Sequence, residues 1–152
     1  MSGFPTSGQS AYQRAAGRYS SQSIGTTSSP ARLLVLLYDR LVLDLSRAHQ
    51  AQLDGDRESA STNIVHAQDI VAELLSTLDV DAWDGGPQLA RLYTWLMGEM
   101  IRANVSMDAT KTLACREICD SLRQAWAQAE LEALTSTTTV PATSLPLVGL
   151  TG

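Results

Sequence analysis

The sequence predicts an all-α fold: an antiparallel up-down four-helix bundle with a flexible N-terminal leader, long enough for one short extra helix, and a disordered C-terminal tail. Three observations predict it. Apolar residues recur at three- and four-residue steps from residue 29 to residue 134, with no strand-like alternation of useful length. Aromatic residues are only 5% of the 152-residue chain, while Ala and Leu abound, which favours helix over sheet. Turn-forming clusters divide the periodic stretch into four segments, and four amphipathic helices joined by short loops pack most economically as a bundle.

Residues 1–28 are rich in Ser, Gly, Thr and Gln, with Phe4, Tyr12, Tyr19 and Ile24 as isolated apolar anchors; they read as the leader. The first helix opens at Ser29, an N-cap residue, with Pro30 in the first helical position, where its missing N–H costs nothing. Leu34, Leu37, Tyr38, Leu41, Leu45 and Ala48 form its stripe, and Asp54-Gly55-Asp56 ends it. The second helix carries Ala60, Ile64, Ala67, Val71, Leu74, Leu75 and Leu78, then stops before the acidic loop Asp79–Gly86. Pro87 opens the third, with Leu89, Leu92, Tyr93, Leu96 and Met100. A break near Asn104–Asp108 offers Ser106 as the next N-cap, and Cys115, Ile118, Cys119, Leu122, Ala125, Trp126 and Ala129 form the fourth stripe. The bundle domain thus spans 29–134, and residues 135–152, with their Thr, Ser, Pro and Gly, read as the tail.

Charge narrows the function. The net charge is −5, and all 16 acidic residues lie between Asp39 and Glu132, against 8 basic residues in that stretch. No Lys/Arg cluster is present to displace phosphate counterions, which argues against nucleic acid, and against anionic membrane for the same reason. No apolar run is long enough to span a bilayer, and the leader lacks the apolar core of a secretory signal, so a cytosolic protein is expected. Cys115 and Cys119, one helical turn apart, read as reduced, buried hydrophobes rather than a disulfide.

Catalytic constellations are missing. There is no Gly-rich phosphate loop and no Ser in a nucleophile elbow. His49 and His66 fall on different helices and outside any Glu-x-x-His or His-Glu-x-x-His pattern, so no metal cofactor is expected. The Asp79–Asp84 stretch fails as a calcium loop, because Trp83 stands at its fifth position and Ala90 at its twelfth. The expected mode is binding without catalysis and without a cofactor.

Two helices carry more apolar surface than a bundle needs. In the first, Leu33, Val35, Leu36 and Leu43 lie off the main stripe; in the third, Met97, Ile101 and Val105 widen it and Trp95 flanks its other side. Either the leader or a second copy covers this surplus, or it lines a groove for a partner helix. Leu36, Leu43, Met97, Ile101 and Val105 are the candidate contacts, whereas Tyr38, Tyr93 and Trp126 sit on the stripes and read as core.

Several strings, in order, resemble the flagellar secretion chaperone family FliS. Ser29-Pro-Ala-Arg-Leu-Leu-Val-Leu-Leu-Tyr-Asp resembles its opening, and Ala11-Tyr12 its Ala-Tyr leader motif. Ala67 to Asp79, Leu92-Tyr93, Ala103-Asn104 with Asp108, and Leu122-Arg123-Gln124-Ala125-Trp126 resemble its later segments, so the likeness covers about residues 11–127. The approach from Gly85-Gly86 to Leu92-Tyr93 is shorter by nearly a turn than members usually have, and the uncharged tail lies outside the pattern. The resemblance implies an all-helical cytosolic chaperone. It would bind the disordered, amphipathic C-terminal segment of flagellin, prevent premature polymerisation and dock with the membrane export gate. On that reading Leu36, Leu43, Met97, Ile101 and Val105 contact flagellin, while Tyr12 and Ile24 plug the empty groove. The competing readings are a helical scaffold or weak homodimer whose surplus apolar surface is a self-interface, and a helical enzyme with an unrecognised site.

Overall fold

In the computed structural model, residues 30–144 are described, with side chains over 31–136. Four helices follow one another: α1 (Pro30–Leu53), α2 (Arg57–Thr77), α3 (Gly86–Ser106) and α4 (Ala109–Ser144). Each packs on the next, α4 closes back on α1, and the diagonal pairs α1/α3 and α2/α4 make no close backbone approach. This is the expected up-down bundle.

Local chemistry sets the corners. Gly55 takes φ +73°, a left-handed conformation that suits a residue without Cβ, and Asp56 caps α2 by accepting the Ser59 N–H at 3.1 Å. Gly86 begins α3 beside the Val80 carbonyl; a Cβ there would fall 2.3 Å from that oxygen. Pro87 occupies the first turn of α3, as its fixed φ favours. Met107, at φ 51°, ends α3. The cap of α4 differs from the expected Ser106: Asp108 accepts the Thr110 and Lys111 N–H groups at 3.0 and 3.2 Å, and Ser106 is the last residue of α3. The Ser29 cap lies outside the described residues.

A second difference concerns the tail. Helix α4 runs ten residues past 134, to Ser144, and the rest of the expected tail lies outside the described residues. Ala, Gln, Glu and Leu over 127–134 are strong helix formers, and extending an existing helix is far cheaper than starting one, so the threonines that follow do not stop it.

The core is the set of four stripes. Tyr38, Leu41, Leu45, Ile64, Ile70, Leu74, Tyr93, Leu96 and Met100 are essentially inaccessible. Tyr38 and Tyr93 join hydroxyl to hydroxyl across the bundle diagonal, which satisfies two polar groups that burial would otherwise penalise. Tyr38 and Tyr93 are thus inside as expected, and partly buried Trp126 packs against this core with its ring 6.4 Å from that of Tyr38. Cys115 and Cys119 are free and buried; burial pushes their thiols up to about 11 and about 12. A neighbouring Glu99 carboxylate adds to the first shift, and Cys115 itself to the second.

Candidate functional site

The four seams of the bundle are built differently. Between α1 and α4, Arg123 reaches Asp39 at 3.6 Å, Arg32 reaches Glu130 at 3.8 Å, Arg116 donates to Ser46 at 2.8 Å and the His49 ring meets the Ala109 carbonyl at 3.0 Å. Between α1 and α2, buried Asp44 takes both His66 and, at 3.1 Å, Arg40. Between α3 and α4, Lys111 reaches Glu99 at 3.7 Å. Between α2 and α3, among the described residues, the cross-link is one hydrogen bond near the end of the seam, from Asn104 to Ser61 at 3.3 Å, with no ion pair.

The Ser61–Asn104 bond fixes the antiparallel register of α2 and α3. Val65 then lies about level with Met100 and Ile101, Gln68 with Met97, and Leu75 with Ala90. Side chains at i, i+3, i+4 and i+7 share a helix face. Val65, Gln68, Ala72 and Leu75 therefore line the α3-facing edge of α2, and Ala90, Thr94, Met97 and Ile101 the α2-facing edge of α3. Val65 is 44% exposed and Ile101 50%, while Met97 and Leu75 are half-buried against the core. Val105, 74% exposed, extends the same wall to the end of α3. The result is an uncharged, mainly apolar trough, with Gln68 and Thr94 as its polar members, about fifteen residues long, or roughly 22 Å at the helical rise. That is long enough for one amphipathic helix of about four turns.

The structure divides the five expected contacts into two groups. Met97, Ile101 and Val105 lie together on this trough. Leu36 and Leu43, at 42% and 40% exposure, lie on the outward pole of α1. Because α1 and α3 are diagonal neighbours, their outward faces look in opposite directions, and a single groove does not hold all five. Two other off-stripe residues are absorbed by the fold: Val35 is buried and Leu33 packs against the core, since α1 is flanked broadly on both sides. Val65 and Ala72, the opposite wall of the trough, were not among the sequence candidates. Tyr12 and Ile24 lie outside the described residues.

A cleft of about 400 Å³ lies where the α2–α3 loop meets α3, lined by Trp83, Gly85, Gln88, Leu89 and Leu92. Trp83, in its lining, is nearly half exposed. No group of three His, Cys, Asp or Glu side chains among the described residues is placed to hold a metal ion. No helix among them is long and apolar enough to cross a membrane.

Comparison with known proteins gives two findings. The family model described as flagellar protein FliS matches residues 11–133. A curated protein of Bacillus subtilis (strain 168), named flagellar secretion chaperone FliS, is 26% identical over 108 residues, covering 71% of this chain and 80% of that protein.

Proposed function

Since this chain belongs to the FliS family of flagellar proteins and is a flagellar export chaperone, we propose that it holds the C-terminal amphipathic segment of flagellin in the α2–α3 trough. The complex forms in the cytosol and keeps the segment from polymerising until export. The observation that carries this reading is the trough itself: an apolar furrow, free of charge, on a protein that is otherwise strongly acidic. A disordered amphipathic guest has an apolar face to bury and no structure of its own in which to bury it. Ordering it costs about 2–5 kcal/mol, so a long shallow contact serves better than a deep pocket. Met97 suits that contact, because an unbranched thioether side chain adapts to an irregular partner.

The mechanism is reversible binding, with no catalytic step and no cofactor. Flagellin is the cargo, and an export-gate component is the receiving partner. The experiment is co-purification of the chain with flagellin that retains or lacks its last forty residues or so, a length that spans several helical turns. Retention of the full flagellin and loss of the shortened one is the expected result. Equal capture of both, or of neither, overturns the reading.

A further inference from the structure

We propose that the outward ridge of α1 is a second docking surface, and that it takes an acidic amphipathic helix of another protein. The ridge runs Leu36, Arg40, Leu43, Arg47 and Gln50, at steps of four and three. That is the spacing of a helix–helix seam, here with apolar and basic residues in alternation. Leu36 and Leu43 are 42% and 40% exposed, two turns apart on a face that no other described helix covers.

Charge identifies the occupant. The chain carries a net charge of −5, yet this strip carries arginines and no exposed acid. Arg47 has no ion pair among the described residues. Arg40, half exposed, gives its Nε to buried Asp44, which also takes His66. The nearest carboxylates are engaged at the margins: Asp39 by Arg123, and exposed Asp54, just past the end of α1, by a hydrogen bond from Gln50. A partner helix with Leu or Ile at one step and Glu or Asp at the next meets both features of the strip.

The same arithmetic excludes two other occupants. In a twofold antiparallel pairing of two copies centred on Leu43, Arg40 of one would face Arg47 of the other, and like charges would oppose across the seam. Residues 1–29 hold Arg14 and Arg18 and no acid, so they are mismatched to a basic strip. The ridge also lies across the bundle from the α2–α3 trough, so it stays open whatever fills the trough, and this inference does not depend on the identity of that guest.

The test uses the full chain and a fluorescein-labelled, Ala-based helical peptide of about twenty residues bearing Leu and Glu at the matching steps. A twin has Lys in place of Glu. Fluorescence anisotropy should show saturable binding of the Glu peptide, about tenfold or more tighter than the twin, and weaker as salt rises. Arg47→Glu should reverse the preference; since Arg47 has no ion pair among the described residues, its variant should melt at the parent temperature. Leu43→Ala should weaken the Glu peptide about tenfold, and Ile101→Glu should leave it unchanged. The proposal is overturned by no binding, by equal binding of the two peptides, by an order that Arg47→Glu does not alter, or by loss of binding in Ile101→Glu. A concentration-dependent dimer in light scattering that Leu43→Glu dissolves also overturns it, because the occupant would then be a second copy.

Discussion

The α1–α4 seam and the α2–α3 trough are both contacts between antiparallel helices, yet they are secured in opposite ways. The seam has Arg32–Glu130, Arg123–Asp39 and the Arg116–Ser46 bond in turn, spread along most of α1. The trough has Ser61–Asn104 near one end and, beyond that, exposed Val65, Ala72 and Ile101 beside half-buried Met97, with no ion pair among the described residues. Charged rims suit helices that never part, because water screens them and no desolvation is required. An apolar, unlinked furrow suits a site that must accept a third helix, because every charge buried under a guest would need a partner. The difference separates what holds the molecule together from what it holds.

The largest test of this contrast places a charge in the trough. Val65→Glu with Ile101→Glu puts two carboxylates on facing walls where the guest's apolar side must lie. Flagellin affinity should fall about a hundredfold, or about 2.7 kcal/mol, measured by isothermal titration. Because both side chains are already about half exposed, the melting temperature should barely move. Leu36→Glu, on the opposite side of the bundle, should change flagellin affinity less than about twofold, within the range of a surface substitution. Equal losses at the two places would mean that the guest wraps both faces, and the contrast would collapse.

How much of this was legible in the sequence differs between the same two regions. The stripes through Tyr38, Tyr93 and Trp126 define the core because each helix repeats every 3.6 residues, and that period survives in a single chain. Leu36 and Ile101 looked alike by the same criterion, since each is apolar and off-stripe. What separates them is the order of helices around the bundle and the rotation of each, which are tertiary facts. Val65 was invisible for a related reason: one valine on a polar face carries no period, and it becomes a wall only when Asn104 meets Ser61 and sets Ile101 nearby. Asp108 rather than Ser106 caps α4 because α3 holds its helical turn through Ser106. The extension to Ser144 was hidden behind threonines whose individual cost to a helix is only a fraction of a kcal/mol, about 0.7 at most.

A second test asks whether loading the trough disturbs the core behind it. Cys115 and Cys119 are buried core residues of α4, and burial pushes their thiols up to about 11 and about 12 from an ordinary 9.0. A thiol acid raised on folding keeps its proton in the native state after the unfolded chain has lost it. Its contribution to stability is therefore complete below pH 9.0 and declines as the pH rises from there towards 11 and 12. Denaturant midpoints should be flat with respect to these groups at neutral pH and fall through that alkaline window. Cys115→Ala with Cys119→Ala should flatten the fall. Thiol reagents should label the native chain slowly, and flagellin should not speed the labelling. Faster labelling on loading would show that the guest parts the helices rather than lying on them, and the trough would be a gate into the core.

The smallest effect belongs to the seam. Arg123 is the hub of its charges: it bonds Asp120 at 2.9 Å on its own helix and reaches Asp39 at 3.6 Å on α1. Exposed pairs of this kind contribute about 0.2–1 kcal/mol, so Arg123→Ala should lower stability by about 0.5 kcal/mol, less at high salt, and leave flagellin affinity unchanged. The bond from Arg123, aided by Gln124, holds the Asp120 carboxyl below its ordinary 3.8. A depressed carboxyl favours the fold above 3.8, and that contribution drains away as pH falls, so the parent should lose stability more steeply in acid than Arg123→Ala does. A double-mutant cycle with Asp39→Ala isolates the interhelical part. If that coupling exceeded about 1 kcal/mol, the pair would belong with buried ion pairs rather than rim charges. If Arg123→Ala weakened flagellin as strongly as the trough substitutions, the seam would be part of the binding surface and the division between the two regions would fail.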